Sequence, residues 1–162
     1  MMLLSASALR RTALVLSAAG LLACSTPGPM QPGQSREEVL ARWGEPRAVY
    51  QLPSGQRLIY SPQPGQVQSL DFDGAGRLVT LEQVLTAQKL GSIVAGKWRA
   101  ADVQLTFGPP AKSVTDGEKG SVWTYFFREY GTYRLVRIHL DPAGVVVRTE
   151  FADDPAADQR YR

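Results

Sequence analysis

The sequence predicts an α+β fold built from two tandem units, each a helix followed by a three-stranded antiparallel sheet. A nine-residue pattern recurs about 64 residues further along the chain. Three short apolar segments, separated by glycine- and proline-containing turns, follow each copy of the pattern. Of the 162 residues, 44% are hydrophobic and 20% charged, which is typical of a globular protein. One cysteine and one histidine exclude an intrachain disulfide and a zinc site made only of such ligands.

The first 23 residues are typical of a secretory leader. Arg10 and Arg11 precede an uncharged apolar run over 12–22, which is too short to span the ~30 Å hydrocarbon core of a bilayer as a helix. Without this leader, 16 basic and 15 acidic residues remain. That balance gives no reason to expect a nucleic-acid partner.

The only cysteine, Cys24, lies where the apolar run ends. The sequence Leu-Leu-Ala-Cys over 21–24 resembles the bacterial lipobox, which implies cleavage before a lipidated Cys24. The alternative is an ordinary leader with an incidental cysteine nearby. Residues 24–32 are rich in proline and glycine, which predicts a flexible tether and offers none of the basic surroundings that a catalytic thiolate needs. Ser25 in place of Asp resembles the sorting signal for the outer membrane.

An internal repeat organises the rest of the chain. Its shared pattern is an acid, valine, three variable residues, an aromatic residue, glycine, any residue and proline. The matching segments are Glu38–Pro46 with Asp102–Pro110, Leu58–Tyr60 with Trp123–Tyr125, and Asp73–Gly76 with Asp141–Gly144. The predicted organisation is a leader over 1–23, a tether over 24–32, a first unit over 33–84, a second unit over 85–152 and a polar tail over 153–162.

Local signals set the limits of the helices. Ser35 and Glu38 have capping-box spacing, which predicts that the first helix begins there. Val39 and Trp43 lie four residues apart and so share one helical face. Gly44 can adopt the left-handed conformation that ends a helix, and a proline follows shortly after it.

The second unit repeats these signals, and a short helix is predicted between the units over 86–94. Three strands are predicted in each unit, over 57–60, 67–72 and 78–84 in the first and over 122–127, 135–140 and 145–151 in the second. The segments Asp73–Gly76 and Asp141–Gly144 are expected to be hairpin loops.

Residues 33–46 and 96–110 resemble the helix motif of the SmpA/OmlA (BamE-like) family of outer-membrane lipoproteins, with a departure at Trp98. The resemblance spans about residues 33–151. It implies a periplasm-facing, lipid-anchored, non-catalytic protein-binding module, accessory to outer-membrane protein assembly or envelope integrity. The implied partner is an envelope protein such as a component of the assembly machinery. Tandem modules also resemble the secreted β-lactamase inhibitor proteins, so the alternative function is an inhibitor or sequestering module for an envelope hydrolase.

No catalytic residue, metal ion or cofactor is predicted. His139 lies on an alternating strand, and the sequence has no serine or cysteine in a nucleophile motif. The segment Asp71–Gly74 resembles part of a calcium loop, but it lacks the third acidic position and the distal glutamate. We therefore interpret it as a hairpin turn and His139 as a residue on a polar sheet face.

The aromatic residues near the centre of the second unit are the candidate partner surface. Trp123, Tyr125 and Phe127 share one face of the predicted strand, whereas Phe126 and Arg128 share the other. One face must enter the core, and an exposed aromatic face is typical of interfaces. We choose Trp123, Tyr125 and Phe127 as this surface. The alternative is that the rest of the second unit covers both faces.

Overall fold

The computed structural model describes residues 29–160, so the predicted leader and Cys24 lie outside the described residues. The first run of elements comprises α1 (Arg36–Trp43), β1 (Ala48–Leu52), β2 (Gly55–Tyr60), β3 (Gln68–Asp73) and β4 (Leu78–Gln83). The second comprises α2 (Ala87–Gly91), α3 (Ala100–Phe107), β5 (Lys112–Asp116), β6 (Gly120–Glu129), β7 (Thr132–Leu140), β8 (Val146–Asp153) and the short α4 (Ala157–Arg160).

The prediction of an α+β fold is confirmed, but the prediction of three-stranded sheets is wrong. Strands β1–β4 form a first antiparallel sheet and strands β5–β8 form a second, each with its strands in sequence order. The missed strands, β1 and β5, are edge strands that follow directly after the prolines ending α1 and α3. The sequence of β5, Lys-Ser-Val-Thr-Asp, lacks the apolar alternation that predicts a strand. All five of its residues are exposed.

The helix starts show how closely the two units correspond. In the first unit the Ser35 hydroxyl accepts a hydrogen bond from the Glu38 backbone N–H, and the Ser35 N–H donates to the Glu38 carboxylate at 2.7 Å. This confirms the predicted capping box. In the second unit the Arg99 N–H donates to the Asp102 carboxylate at 2.8 Å. Only this half of the box remains, because arginine has no hydroxyl to accept the other bond.

The helix ends are held to the sheets by tyrosines. The Tyr60 hydroxyl donates to the Gly44 carbonyl at 2.9 Å, and the Tyr125 hydroxyl donates to the Gly108 carbonyl at 2.8 Å. Both glycines have left-handed backbones, with φ of 73° and 74°. Burial raises the pKa of Tyr125 well above its usual value. Each glycine that ends a helix therefore also accepts a hydrogen bond from the sheet.

Strand register is the same in both sheets. Arg57 pairs with Asp71 across β2 and β3, and the equivalent Val122 pairs with His139 across β6 and β7. A register shift follows Asp71 and another follows His139. Because the pairing matches residue for residue, each face position of the first sheet has a definite counterpart in the second.

The elements stack as four layers: α1, the first sheet, α3 and the second sheet. One core lies between α1 and the first sheet, and it contains Val39, Leu58, Tyr60, Leu70, Phe72 and Leu78. The larger core surrounds α3. It joins Val103 and Phe107 to Ile59 of the first sheet and to Tyr125 and Ile138 of the second.

The C-terminal segment is more ordered than a polar tail predicts. Strand β8 extends to Asp153, one residue beyond the predicted boundary. The Asp154 backbone N–H donates to the Tyr133 carbonyl at 3.1 Å, and Asp154 is buried. The segment after β8 therefore lies against the second sheet.

We expect Tyr125→Phe to lower the free energy of unfolding by about 1–2 kcal/mol, because it leaves the Gly108 carbonyl without its buried hydrogen bond. Urea unfolding followed by circular dichroism measures this. Tyr130→Phe is the matched control, since Tyr130 is fully exposed and its loss of a hydroxyl should change stability by less than about 0.5 kcal/mol. Equal effects of the two substitutions would contradict the assigned role of Tyr125.

Candidate functional site on the second sheet

The aromatic residues chosen from the sequence as a partner surface are part of the core. Tyr125 is 2% exposed and Phe127 is fully buried, and the half-buried Trp123 packs against the same core. All three point towards α3, because residues on this face of β6 meet Phe107. The expectation that Trp123, Tyr125 and Phe127 bind a partner is therefore wrong for this fold.

The opposite side of the second sheet, which we call the open face, points away from α3. Its residues alternate with those that enter the core. They are Lys112, Val114, Asp116, Val122, Thr124, Phe126, Arg128, Tyr133, Leu135, Arg137, His139, Arg148, Glu150 and Ala152. Exposure is greatest at β5 and at Arg128, Arg137 and Arg148. The alternation of residues along β6 places Phe126 and Arg128 together on this face. It does not show which face of the strand is buried.

The matching side of the first sheet, which we call the covered face, packs against α3. It includes Ala48, Tyr50, Arg57, Ile59, Ser69 and Asp71, and at the β4 edge the exposed Thr80 and Glu82. Ile59 is fully buried, and a Cβ added to Gly108 would lie 2.7 Å from the Ile59 Cγ2 atom. The helix end thus approaches the covered face too closely for any side chain at position 108.

Arg57 forms hydrogen bonds that connect α3 to the covered face. Its Nε and Nη2 atoms donate to the two Asp71 carboxylate oxygens at 2.6 and 2.7 Å, and its Nη1 atom donates to the Leu105 carbonyl at 3.1 Å. The hydrogen bond to Asp71 raises the pKa of Arg57. The fixed guanidinium thereby satisfies a carbonyl in the last turn of α3, where the helix leaves acceptors unpaired.

Basic side chains dominate the charge of the open face. Lys112, Arg128, Arg137 and Arg148 contribute four cations, against the carboxylates of Asp116 and Glu150 on the strands and of the buried Asp154 just after β8. Asp116 lies 3.6 Å from Lys119. Glu150 lies 3.2 Å from His139 and 3.1 Å from Arg148, and the hydrogen bond from His139 lowers the pKa of Glu150.

Aromatic rings lie beside two of these cations. The Lys112 ammonium is 5.7 Å from the centre of the Phe126 ring, and the Arg128 guanidinium is 5.1 Å from that of Tyr133. A shallow depression of about 240 Å³ at the centre of the face is lined by Lys112, Thr124, Phe126, Leu135, Arg137, Asp154 and Pro155. The segment after β8 forms one wall of this depression.

The hairpin joining β6 and β7 ends in an exposed aromatic residue. Tyr130 is 101% exposed, and its φ of 48° is left-handed. Asparagine, aspartate or glycine usually occupies such a position, and a bulky residue there costs about 1–2 kcal/mol. Because Arg128 and Tyr133 flank it, this tip continues the open face at one end.

The segment Asp71–Gly74 and His139 lie where the sequence interpretation places them, in a hairpin and on a sheet face. The Asp73 carboxylate accepts from the backbone N–H groups of Ala75 and Arg77, both at 2.9 Å, which is the bonding of a hairpin turn. His139 lies on the open face beside Glu150 and Arg148. Among residues 29–160, no three histidine, cysteine or acidic side chains come together as metal ligands.

A second concave region lies where the two units meet. It is a groove of about 340 Å³ whose walls include Arg47, Pro62, Pro64, Ala111 and Phe126. The Arg47 Nη2 atom donates to the Pro110 carbonyl at 3.2 Å. Arg47 therefore joins the segments that follow the two helices.

No family model and no curated protein matches this chain. Among solved structures, a DUF4309 family protein (YjgB) from Bacillus subtilis is similar over 74% of this chain and 78% of its own, with 11% identity and a TM-score of 0.31. A similarity of that degree does not establish a common fold or function. Within residues 29–160, no helix is long and apolar enough to cross a bilayer.

We expect exchange of equivalent residues on the two faces to have unequal effects. Ile59→Thr places a hydroxyl in the buried contact with α3, so the free energy of unfolding should fall by about 2–3 kcal/mol. The reverse exchange, Thr124→Ile, lies on the open face and should change stability by less than about 0.5 kcal/mol. Thermal and urea unfolding measure both. A large loss at position 124 would show that this position is packed.

Proposed function

We propose that this chain is a lipoprotein anchored through Cys24 to the periplasmic face of the bacterial outer membrane. It acts there as a non-catalytic protein-binding module, accessory to outer-membrane protein assembly or envelope integrity. The lipobox-like sequence and the SmpA/OmlA-like motifs support the location and the role. The open face of the second sheet is the observation that carries the binding function.

The open face suits protein binding for two reasons. Its composition is that of an interface, with phenylalanine, tyrosine and several arginines grouped on one side of a rigid sheet. The covered face, which has the same backbone register, already binds a helix within the same chain. The scaffold is therefore able to hold a helix on this side of a sheet.

A second candidate function is inhibition or sequestration of an envelope hydrolase. Tyr130 favours it, because a rigid aromatic side chain at a protruding hairpin tip fits a cleft on another protein. Capture of a hydrolase by the purified protein, lost on Tyr130→Ala and kept in Tyr130→Phe, would support this function over the assembly role.

We expect Cys24→Ser to release the protein from the membrane, because serine cannot carry the thioether-linked lipid. Fractionation of cells expressing the full chain, with mass spectrometry of the mature N-terminus, measures the change. Ser25→Ala is the control and should remain membrane-bound. A Cys24→Ser protein that still sediments with membranes would count against the anchor.

We expect the pair Lys112→Glu and Arg137→Glu to reproduce the phenotype of depleting the protein, because it reverses the charge of the open face. The measurements are the levels of outer-membrane β-barrel proteins and the sensitivity to large hydrophobic antibiotics. The pair Lys97→Glu and Arg99→Glu makes the same charge change at exposed positions outside this face and should behave as wild type.

The phenotype of depleting the protein is the reference against which the Lys112→Glu and Arg137→Glu pair is compared. If depletion changes neither β-barrel levels nor antibiotic sensitivity, the proposed role in assembly or envelope integrity is wrong. If depletion has an effect but the open-face pair does not, the role stands and the binding surface lies elsewhere.

A further inference from the structure

We propose that the open face binds helix α1 of a second copy of this chain, in the way that the covered face binds α3. This inference rests on the proposed role of the open face as a binding surface. It goes beyond that role by naming an occupant and one specific contact, between Glu45 of one copy and Lys112 of the next.

The chain contains one helix-on-sheet interface of this kind and presents both halves of another. Within the chain, α3 of the second unit lies on the sheet of the first. Helix α1 is the equivalent of α3, and the open face is the equivalent of the covered face. These two surfaces lie at opposite ends of the stack, and neither makes this helix-on-sheet contact within residues 29–160. Placing α1 of a second copy on the open face therefore repeats an arrangement that the fold already makes.

The side of α1 that faces away from the first sheet, which we call the front of α1, is accessible. Its residues Glu37, Ala41, Gly44 and Glu45 are all exposed, and they occupy the positions of Ala101, Leu105, Gly108 and Pro109 in α3. A Cβ added to Gly44 would meet nothing within 4 Å, whereas one added to Gly108 would collide with Ile59. Gly108 is buried and Leu105 and Pro109 are half-buried, whereas Ala101 is exposed. The surface that is covered in α3 and open in α1 is therefore that of Ala41, Gly44 and Glu45.

The charges of the two surfaces are complementary. At the positions that α3 covers, α1 carries one additional carboxylate, Glu45 in place of the half-buried Pro109. Glu37 adds a second carboxylate at the start of the helix, in place of the exposed Ala101. Relative to the covered face, the open face gains three cations, since Lys112 replaces Ala48, Arg137 replaces Ser69 and Arg148 replaces Thr80. It loses one, since Val122 replaces Arg57, so the net gain is two. Both ends have changed charge in opposite directions, which favours their association.

The contact of α3 with the covered face also indicates where Glu45 of one copy lies relative to Lys112 of the next. Gly108 contacts Ile59, which is the cross-strand partner of Ala48, and Pro109 follows Gly108. In the second copy, Gly44 takes the place of Gly108 against Thr124, the cross-strand partner of Lys112. Glu45 follows Gly44, so its carboxylate comes within reach of the Lys112 ammonium. The depression at Thr124 receives the end of the helix.

The contact between copies is weaker than the contact within the chain. Thr124 replaces the buried Ile59, Ala41 replaces Leu105, and Val122 cannot supply the hydrogen bond that Arg57 gives to the helix carbonyl. A membrane anchor compensates, because confinement to one surface raises the effective concentration of neighbouring copies. Since each copy uses two different surfaces, the contact is heterologous and links copies head to tail, in an open array or, where the rotation between copies closes, in a ring.

The experiment uses the full, anchored chain in cells, with a photo-crosslinking phenylalanine derivative in place of Thr124. We expect a ladder of products at multiples of the chain mass, with the crosslinked peptide mapping to residues 36–47. Placing the same derivative at Thr115, which is on β5 but points to the other side of the sheet, should give no ladder. Crosslinks to another protein, to lipid or to residues 153–160 of the same chain would overturn the inference.

A charge exchange then tests the named contact. Glu45→Lys or Lys112→Glu alone should reduce the ladder by about threefold to tenfold, because each places like charges together. Co-expression of the two single variants should restore it, since the introduced lysine of one copy then meets the introduced glutamate of the other. Lys97→Glu is the control and should leave the ladder unchanged. Loss that co-expression does not restore would overturn the inference.

These results separate the inference from the proposed function. If position 124 crosslinks to a different envelope protein and depletion alters the envelope as expected, self-association is wrong and the proposed function stands. If the ladder forms and depletion has no effect on the envelope, the open face binds a second copy and the proposed role in the envelope is wrong.

Discussion

The architecture depends on one helix that is buried on two sides. Helix α3 presents Val103 and Phe107 to its own sheet, while its last turn lies against Ile59 and Arg57 of the first sheet. The two units therefore share a core, and neither sheet is packed independently of α3. Gly108 is the point of closest approach, because its missing side chain lets the helix end reach the first sheet.

This shared helix explains why two similar units have dissimilar surfaces. Both sheets have the same register and the same tyrosine-to-glycine hydrogen bond, so their backbones are equivalent. Within residues 29–160, the first sheet has α1 on one side and α3 on the other, whereas the second sheet has α3 on one side and the short segment after β8 on the other. Ile59 is apolar because it is buried under α3, whereas the equivalent Thr124 lies on the open face. The repeat thus produces one interface inside the chain and leaves its two halves accessible at opposite ends.

The open face combines rigidity with accessible chemistry. Its backbone is held by the hydrogen bonds of a four-stranded sheet, so a partner meets a surface that needs little ordering on binding. The cations lie beside aromatic rings and around a central depression. Tyr130 extends the same surface at the hairpin tip, in a backbone conformation that its side chain does not favour. These features give the face a definite pattern of charge and shape.

Local sequence signals predict most element boundaries correctly. They do not predict which side of the second sheet is exposed, and the side chosen from the sequence is the buried one. Ser35, Glu38 and the glycines that end the helices act on neighbouring backbone groups, so their effect is visible without the rest of the chain. Strands β1 and β5 were missed. Both are five-residue edge strands paired to one neighbour, and β5 has little apolar pattern of its own. Alternation along β6 shows that Tyr125 and Phe126 point in opposite directions, but the position of α3 determines which of them is buried. That position depends on contacts between residues far apart in the chain, such as Ile59 with Gly108, and no local pattern records them.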